Sequence, residues 1–521
     1  MKNGKILISS CSLAAIKFSG IDHWQSFLKS RFEIQGWSTV LNRHRIDIIP
    51  NTVSGKIRSE NQFLNSFQLS SFWCGPGEHA IAITPIRKWL DASGHEDTRP
   101  EYIILNGRTP PSIDLVEQVS HIHIFLKALS MLEGFDNEQI ELDDLPDNLV
   151  DLTNTNVKNH SFPCPPKPNE LYHIAGFHLV PERFSVKVVP IPGVSSSLAA
   201  DYAERLTNKF QSRSTTVSVT TSSIDKIEKL PGQAVVILMP SSKEATINKS
   251  IIDVFLYLDR QGISWRRCYE TDNFQFSIPD QIGSILQCAG GIPYCVQTQG
   301  TKPIPWCLGI DLSHATNGQS KLCGSLINTT GNLSHSWVSK HSRDETISSD
   351  TLQKIIRAAV NYIPKDSRGN GLLVMRDGRL FERENHALYH KGFDLPVSLI
   401  EVRKRKNPPI LTREFPGIPD KIMFSEISRN IDRESHIAFM VTLPTAKKER
   451  FGQVLKIHWR DEWNGLSLQS RDLAAIITAL VYAPGLGNKE RTLPAPIYWA
   501  DGIAAASNID LRFRGQQTTH I

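Results

Sequence analysis

The sequence predicts an α/β protein in which a Rossmann-like unit is followed by a second mixed α/β domain, after an α+β N-terminal region. Three observations support this prediction. A Pro-rich segment at 160–173 follows a long part with poor hydrophobic periodicity. Beyond it, apolar strand-like runs alternate with amphipathic helical patterns. Acidic residues stand at the ends of several of these runs. With 521 residues the chain is too long for one core, and about three to four domains are expected.

The composition is that of a globular protein and excludes bulk disorder, with 40% hydrophobic and 21% charged residues. The net charge of +5, from 58 basic and 53 acidic residues, permits nucleic-acid binding without arguing for it. No apolar run approaches the roughly 18 residues that span a bilayer, so no membrane association is expected. The eight cysteines form no CxxC pair. This pattern predicts buried thiols in a reducing cytoplasm rather than zinc ligands or disulfides.

Four segments are expected along the chain. Residues 1–159 form an N-terminal, linker-like region of unknown role, and residues 160–214 form a Pro-rich linker. Residues 215–300 contain the Rossmann-like unit, and residues 301–521 contain the second α/β domain. The apolar stretch near the N-terminus is interrupted by serines and lacks a cleavage site, so it is interpreted as a strand rather than a signal peptide.

The Rossmann-like unit is predicted from four successive elements. The apolar run "QAVVILMP" predicts a buried strand at 233–240, and "ISWRRCYE" predicts the next strand at 263–270. Helical spacing of apolar residues predicts helices at 248–262 and 278–291, each ending at glycine. The unit has no GxGxxG motif, so a dinucleotide fingerprint is absent.

The second domain begins with a strand, a hairpin, a helix and another strand, which is the element order of an RNase H-like fold. The hairpin is predicted from a Thr-Gly-Asn turn between two strand-like arms, and the helix from its amphipathic pattern. The predicted elements are a strand at 305–314, the hairpin at 320–341, a helix at 349–363, strands at 371–377 and 397–405, and a helix at 470–483, after which residues 493–507 lead into a last helix.

Four carboxylates at element ends are candidates for a metal site. Asp311 is an isolated charge in an apolar strand, where an unpaired charge is costly, and Asp377 ends the strand "GLLVMRD". Asp501 is expected at the start of a helix, and Glu345 lies in a polar loop. Convergent carboxylates hold two Mg²⁺ or Mn²⁺ ions in phosphodiester cleavage. Each residue also has a simpler explanation: a buried hydrogen-bonded carboxylate, hairpin turn chemistry, a helix N-cap and a surface acid, respectively.

Five motifs in order resemble the MID–PIWI half of prokaryotic Argonaute proteins. They are "CAGGIPY", "LGIDLSH", "VMRDGRL", "IEVRKRKNPPI" and "PAPIYWADGIA". The resemblance covers roughly 215–521 and implies a Rossmann-like MID domain at 215–300 and an RNase H-like PIWI domain at 301–521. The chain is too short for the full long-Argonaute layout, which implies a short form without a PAZ domain.

The resemblance implies a catalytic tetrad of Asp311, Glu345, Asp377 and Asp501, with the three aspartates as ligands of two Mg²⁺ or Mn²⁺ ions. It implies guide-directed binding and endonucleolytic cleavage of a complementary strand, in defence against phage or plasmid DNA. The partners would be a short guide RNA or DNA and its target. The alternative is a catalytically silent guide-binding sensor that activates an associated effector protein.

Basic residues are candidate nucleic-acid contacts. They are Lys249, Arg266, Arg267, Arg403, Lys404 and Arg405.

The family's lysines that bind the guide 5′-phosphate correspond here to Ser284 and Cys288, which are not cationic. This substitution suggests that Lys249, Arg266 and Arg267 supply the charge, that the pocket accepts a 5′-hydroxyl guide, or that the MID domain serves another contact.

Overall fold

The computed structural model describes most of the chain beyond residue 177 and separate segments before it. The described ranges are 11–19, 24–34, 37–42, 45–49, 63–75, 78–89, 125, 139–141, 143–144, 150–153, 177–240, 249–270, 274–314, 320–339, 347–378, 384, 392–404, 407, 410–412, 423–430, 435–442, 453–484, 493–507 and 519–520.

Strands and helices alternate through the described residues. The strands are β1 (Cys11–Ser19), β2 (Ser38–Asn42), β3 (Arg45–Ile49), β4 (Phe63–Gly75), β5 (Glu78–Trp89), β6 (Gln139–Glu141), β7 (Asp143–Asp144), β8 (Val150–Thr153), β9 (Ser185–Pro190), β10 (Ser218–Thr221), β11 (Gln233–Met239), β12 (Trp265–Tyr269), β13 (Cys295–Thr298), β14 (Trp306–His314), β15 (Ser320–Ile327), β16 (Leu333–Val338), β17 (Leu372–Asp377), β18 (Val397–Arg403), β19 (Ile410–Thr412), β20 (Met423–Asn430), β21 (Ser435–Thr442), β22 (Gln453–Arg460) and β23 (Thr519–His520). The helices are α1 (Trp24–Ile34), α2 (Ser196–Gln211), α3 (Lys249–Arg260), α4 (Phe274–Cys288), α5 (Ser349–Tyr362), α6 (Ser470–Val481) and α7 (Ala495–Ser507).

The chain divides into two compact units. One comprises Met1–Leu145 with Arg403–Arg460, and the other comprises Pro146–Val402 with Asp461–Ile521. The first unit contains an antiparallel sheet in the order β19-β1-β5-β4-β3-β2, with β6 also paired to β1. Strands β20, β21 and β22 form a second antiparallel ladder, and β7 pairs with β20.

Aromatic packing forms part of the core of the first unit. The ring of Phe125 stacks on Phe67 at 4.4 Å and on Phe32 of α1 at 5.3 Å between centroids. No hydrophobic periodicity predicts strands in this region, because Ser and Asn interrupt the apolar residues of β4 and a proline lies inside β5. The long β4–β5 hairpin was therefore not predicted.

The second unit begins with the predicted Rossmann-like layer arrangement. Four parallel strands lie in the order β10-β9-β11-β12. Alternate residues of β9 and β11 face opposite sides of the sheet. One set packs with α2 and α4, and the other packs with α3. The strand order reverses between β9 and β11, where open α/β sheets bind ligands at the carboxyl ends of the strands.

Part of the segment predicted as a linker belongs to this sheet. Strand β9 and helix α2 lie inside 160–214, and Val186 and Val188 of β9 are fully buried. The linker prediction therefore fails for 185–211. The short strand β9 was not predicted, because prolines flank it. The apolar residues of α2 do have helical spacing, so this helix could have been predicted. Residues 160–176 lie outside the described part of the chain.

The RNase H-like order predicted for the second domain is confirmed. Within the second unit the strands lie in the order β23-β16-β15-β14-β17-β18. Strands β14, β15 and β16 form an antiparallel meander, and β17 and β18 run parallel to β14. Helix α5 connects β16 to β17 and packs its apolar face on one side of the sheet. Helix α7 packs on β14 and β15.

None of the helices that the structure describes has the length and apolar character needed to cross a membrane.

Candidate metal centre

Asp311 and Asp377 come from neighbouring parallel strands. Ile310 of β14 pairs with Arg376 of β17, so the two aspartates follow one residue later on adjacent strands. Because side chains alternate along a strand, both carboxylates lie on the face opposite Ile310. The two acids thus lie on neighbouring strands, with Asp377 at the end of β17 and Asp311 three residues before the end of β14.

Helix α7 lies close against the same face at Gly309, two residues before Asp311. A Cβ added to Gly309 would overlap the carbonyl group of Pro496, in the first turn of α7. The hydroxyl of Ser325, which is paired with Gly309 on β15, donates a hydrogen bond to that carbonyl at 2.6 Å. The lack of a side chain at Gly309 and the hydrogen bond from Ser325 together hold the first turn of α7 against the sheet.

The other end of α7 is also held by β15. Lys321 Nζ donates to the carbonyl oxygen of Ser507, the last residue of α7, at 2.7 Å. Asp501 lies between the two anchor points, in the second turn of α7. It is five residues after Pro496, a rise of about 7.5 Å, whereas Asp311 is about 6.6 Å beyond Gly309. The carboxylates of Asp311 and Asp501 are therefore at similar distances from the contact between Gly309 and Pro496.

Asp501 is not a helix N-cap, because α7 begins at Ala495. The sequence interpretation that placed Asp501 at the start of the helix is corrected by this boundary. Pro496 in the first helical turn is compatible with α7, since backbone N–H groups there have no intrahelical acceptor.

Asp311, Asp377 and Asp501 converge. One carboxylate oxygen of each lies within 4.8 Å of those of the other two. Asp311 and Asp377 are half-buried, and Asp501 is exposed. In the part of the chain that the structure describes, no other set of three acidic, histidine or cysteine side chains converges in this way. The cluster is open to solvent on one side and offers only hard oxygen ligands, which suit Mg²⁺ or Mn²⁺.

Two neighbours shape the environment of Asp311. Its Oδ1 accepts a hydrogen bond from the backbone N–H of Leu312 at 2.8 Å, which orients the carboxylate. Cys323 is its register partner on β15. Burial raises the pKa of the Cys323 thiol to about 12, and the Asp311 charge acts in the same direction. The thiol therefore stays protonated beside the cluster.

The predicted basic contacts have different environments. Arg266 is 7% exposed, whereas Arg267 is exposed and lies 5.9 Å from the centroid of the Tyr269 ring. Arg403 and Lys404, at the end of β18, are half-buried.

Other predicted site residues fall partly or wholly outside the described part of the chain. Lys249 begins α3, but its side chain is not described. Glu345 and Arg405 lie outside the described residues.

Ser284 and Cys288, the positions where the resemblance would place lysines, both lie on α4 and are 8% exposed. The Ser284 hydroxyl donates to the carbonyl of Gln281 one turn earlier at 2.8 Å. The Cys288 thiol lies 3.9 Å from the carbonyl oxygen of Trp265. Neither position presents a cation.

The residues that position α7 were missed by sequence reasoning. Gly309 carried a usable signal, because glycine inside a buried strand often marks a close backbone approach. Ser325 and Lys321 carried none, since a serine and a lysine in a strand do not indicate which helix they will contact.

The fold is that of Argonaute proteins. No protein-family model and no curated protein matches the sequence. Solved structures do match most of the chain, but at low sequence identity. The similarity is therefore one of fold.

A. aeolicus Argonaute is 14% identical, with 92% of this chain and 81% of that chain covered and a TM-score of 0.59. Marinitoga piezophila Argonaute, solved in complex with 5′ OH guide RNA and target DNA, is 14% identical, with 95% and 86% covered and a TM-score of 0.64. Drosophila Piwi is 8% identical, with 95% and 86% covered and a TM-score of 0.66.

Proposed function

We propose that this protein binds a short guide and cleaves a complementary nucleic-acid strand, using two Mg²⁺ or Mn²⁺ ions held by Asp311, Asp377 and Asp501. The observation that carries the proposal is the convergence of these three carboxylates within 4.8 Å in an Argonaute-like fold. The three residues come from two strands and a helix that are far apart in sequence.

The donor set fits divalent cations with oxygen ligands. Opposite oxygens of an octahedral Mg²⁺ ion are about 4.2 Å apart, since each bond is about 2.1 Å. Adjacent oxygens of the same ion are about 3.0 Å apart, so three oxygens that lie within 4.8 Å of one another need to approach by at most about 1.8 Å to share an ion. When bound, two such ions activate a water molecule and stabilise the leaving oxygen of a phosphodiester.

Other parts of the chain would orient the aspartates and add a further negative charge to the site. Leu312 N–H orients Asp311, and the anchored helix α7 presents Asp501 on the open side. Glu345 is proposed as the fourth acidic residue, which supplies a further carboxylate from the segment before α5.

The proposed guide and target would contact basic residues along their phosphates. Arg267, Arg403 and Lys404 have the exposure or partial exposure that such contacts need. Lys249, Arg266 and Arg405 stay proposals from the sequence.

Ser284 and Cys288 are buried and uncharged, which favours a guide with a 5′-hydroxyl over one anchored by its 5′-phosphate. The M. piezophila structure contains such a 5′ OH guide RNA. We propose that the protein acts in the cytoplasm, in defence against phage or plasmid DNA, with an associated effector as a further partner.

Single-turnover cleavage tests the proposal. The purified full chain is loaded with 5′-hydroxyl or 5′-phosphate guides of RNA or DNA and given a labelled complementary strand with Mg²⁺ or Mn²⁺. We expect a single cut that Asp311→Asn and Asp377→Asn abolish while guide binding persists. The matched control is Asp201→Asn, which changes an acid on α2 whose side chain is 43% exposed. Guide binding without any cut by the wild type would support the silent sensor instead.

A further inference from the structure

A buried ion pair lies next to Asp377. Arg376 Nε is 3.9 Å from Glu384 Oε2, and the side chains are 6% and 0% exposed. Burying two charges costs several kcal/mol per ion, and the attraction between them recovers that cost only in good geometry. A fully buried glutamate is therefore a poor choice for stability alone, and its other contacts indicate what it does.

Each member of the pair also bonds a main-chain group. The Arg376 guanidinium donates through Nη1 to the carbonyl oxygen of Asp377. Glu384 Oε1 accepts a hydrogen bond from the N–H of Ile347 at 3.0 Å. Ile347 directly precedes Ser348, whose side chain caps α5. The pair thus joins the end of β17 to the residues that begin α5.

The pair lies on the side of the sheet opposite the three carboxylates. Arg376 is the register partner of Ile310, which packs with Ile347 in the core beneath α5. Because successive strand residues face opposite sides, Arg376 points to the α5 face and Asp377 to the α7 face. Arg376 and Glu384 therefore cannot act as ligands beside Asp377 and must act through the main chain.

We propose that Arg376 and Glu384 are positioning residues of the metal centre, which hold the main chain of Asp377 in register with the start of α5. The proposal rests on the proposed function, because it assigns the pair a role through the same three carboxylates.

The test measures Mn²⁺ affinity, which a residue that only stabilises the fold would leave unchanged. Mn²⁺ is titrated calorimetrically into the full chain without nucleic acid, for the wild type, Glu384→Ala and Glu384→Gln. Glu384→Ala removes both contacts, whereas Glu384→Gln keeps an acceptor for Ile347 and loses the charge. Residues behind a metal ligand typically change affinity 10- to 100-fold, so we expect about tenfold weaker binding for Glu384→Ala and a smaller loss for Glu384→Gln.

The matched control is Asp394→Asn, which breaks the ion pair (2.8 Å) between the exposed Asp394 and the partly buried Arg368 on another part of the same unit. It should leave the Mn²⁺ dissociation constant unchanged. Hydrogen exchange at the Ile347 amide should accelerate in Glu384→Ala, because its acceptor is removed. Should Glu384→Ala fail to fold, Glu384→Gln alone decides, by whether Mn²⁺ binding weakens.

Cleavage provides a second readout. In Glu384→Ala, the Mn²⁺ concentration for half-maximal cleavage should rise about tenfold while target binding stays constant. A Glu384→Ala protein that is less stable but binds Mn²⁺ as the wild type does would overturn the proposal. If the wild type binds Mn²⁺ but does not cleave, the proposed function fails by itself, and the Mn²⁺ dissociation constants still decide the role of Glu384.

Discussion

Replacing Asp377 by asparagine should raise the stability of the metal-free protein and abolish its stabilisation by Mn²⁺. The two effects have opposite signs because the same carboxylate repels its neighbours without metal and binds the ion with metal. General damage to the fold would lower stability in both conditions. Asp377→Asn keeps the size and one of the two acceptor oxygens of the side chain and removes its negative charge.

The magnitude follows from the separation of the carboxylates. Two unit charges 4.8 Å apart repel by about 3.5 kcal/mol at an effective dielectric of about 20, and by about 0.9 kcal/mol in bulk water. Asp377 takes part in two such pairs, but Asp501 is exposed and is screened by solvent. We therefore expect a gain of about 1–2 kcal/mol, which corresponds to about 1.5–3 °C in Tm for a unit of this size.

Thermal unfolding with and without Mn²⁺ measures both effects. An ion at 100 times its dissociation constant should stabilise the wild type by about 2.7 kcal/mol and the variant not at all. The control is Asp201→Asn, which removes an exposed acid paired with Arg205 at 2.9 Å and should change stability by less than about 0.5 kcal/mol. An Asp377→Asn protein with a lower metal-free Tm and an intact response to Mn²⁺ would refute the reasoning.

Two further predictions concern the strands around the site. Gly309→Ala should destabilise the protein by about 1–3 kcal/mol in urea unfolding and reduce Mn²⁺ binding, because the added Cβ would displace Pro496 and with it α7. The control Gly369→Ala should have neither effect, because the space around Gly369 is open. The raised pKa of Cys323, about 12, means that above about pH 9 the unfolded chain releases a proton that the folded chain retains. Stability should therefore fall as pH rises, and Cys323→Ser should recover about 1–2 kcal/mol of the loss between pH 8 and pH 10. Equal pH dependence of the urea midpoints in the two proteins would contradict this assignment.

The sequence was most informative where a residue type conflicts with its surroundings. A charge inside the apolar run of β14 identified Asp311, and a carboxylate at the end of an apolar strand identified Asp377. Their proximity followed from the element order, since parallel neighbouring strands bring their carboxyl ends together. The amphipathic helix α5 was also predicted nearly to its bounds, because its apolar face has helical spacing.

Other features depend on tertiary contacts that local patterns do not encode. The position of Asp501 in α7 depends on the packing of Pro496 against Gly309. The sequence does not show this contact, and the predicted start of the helix was therefore wrong. Glu384 looked like one of several charges in "FERENH", and nothing in that string shows that it is fully buried. The antiparallel sheet of the first unit was missed because its strands mix polar and apolar residues without a clear alternation.

Asp311, Asp377 and Asp501 are proposed to hold divalent metal ions together. Crystals of the full chain soaked in MnCl₂ and measured for Mn anomalous scattering test it most directly. We predict anomalous peaks within about 2.5 Å of carboxylate oxygens from these three residues, which Asp377→Asn removes or weakens. Saturating Mn²⁺ that gives no peak between the three carboxylates, or peaks only elsewhere on the protein, would contradict the account.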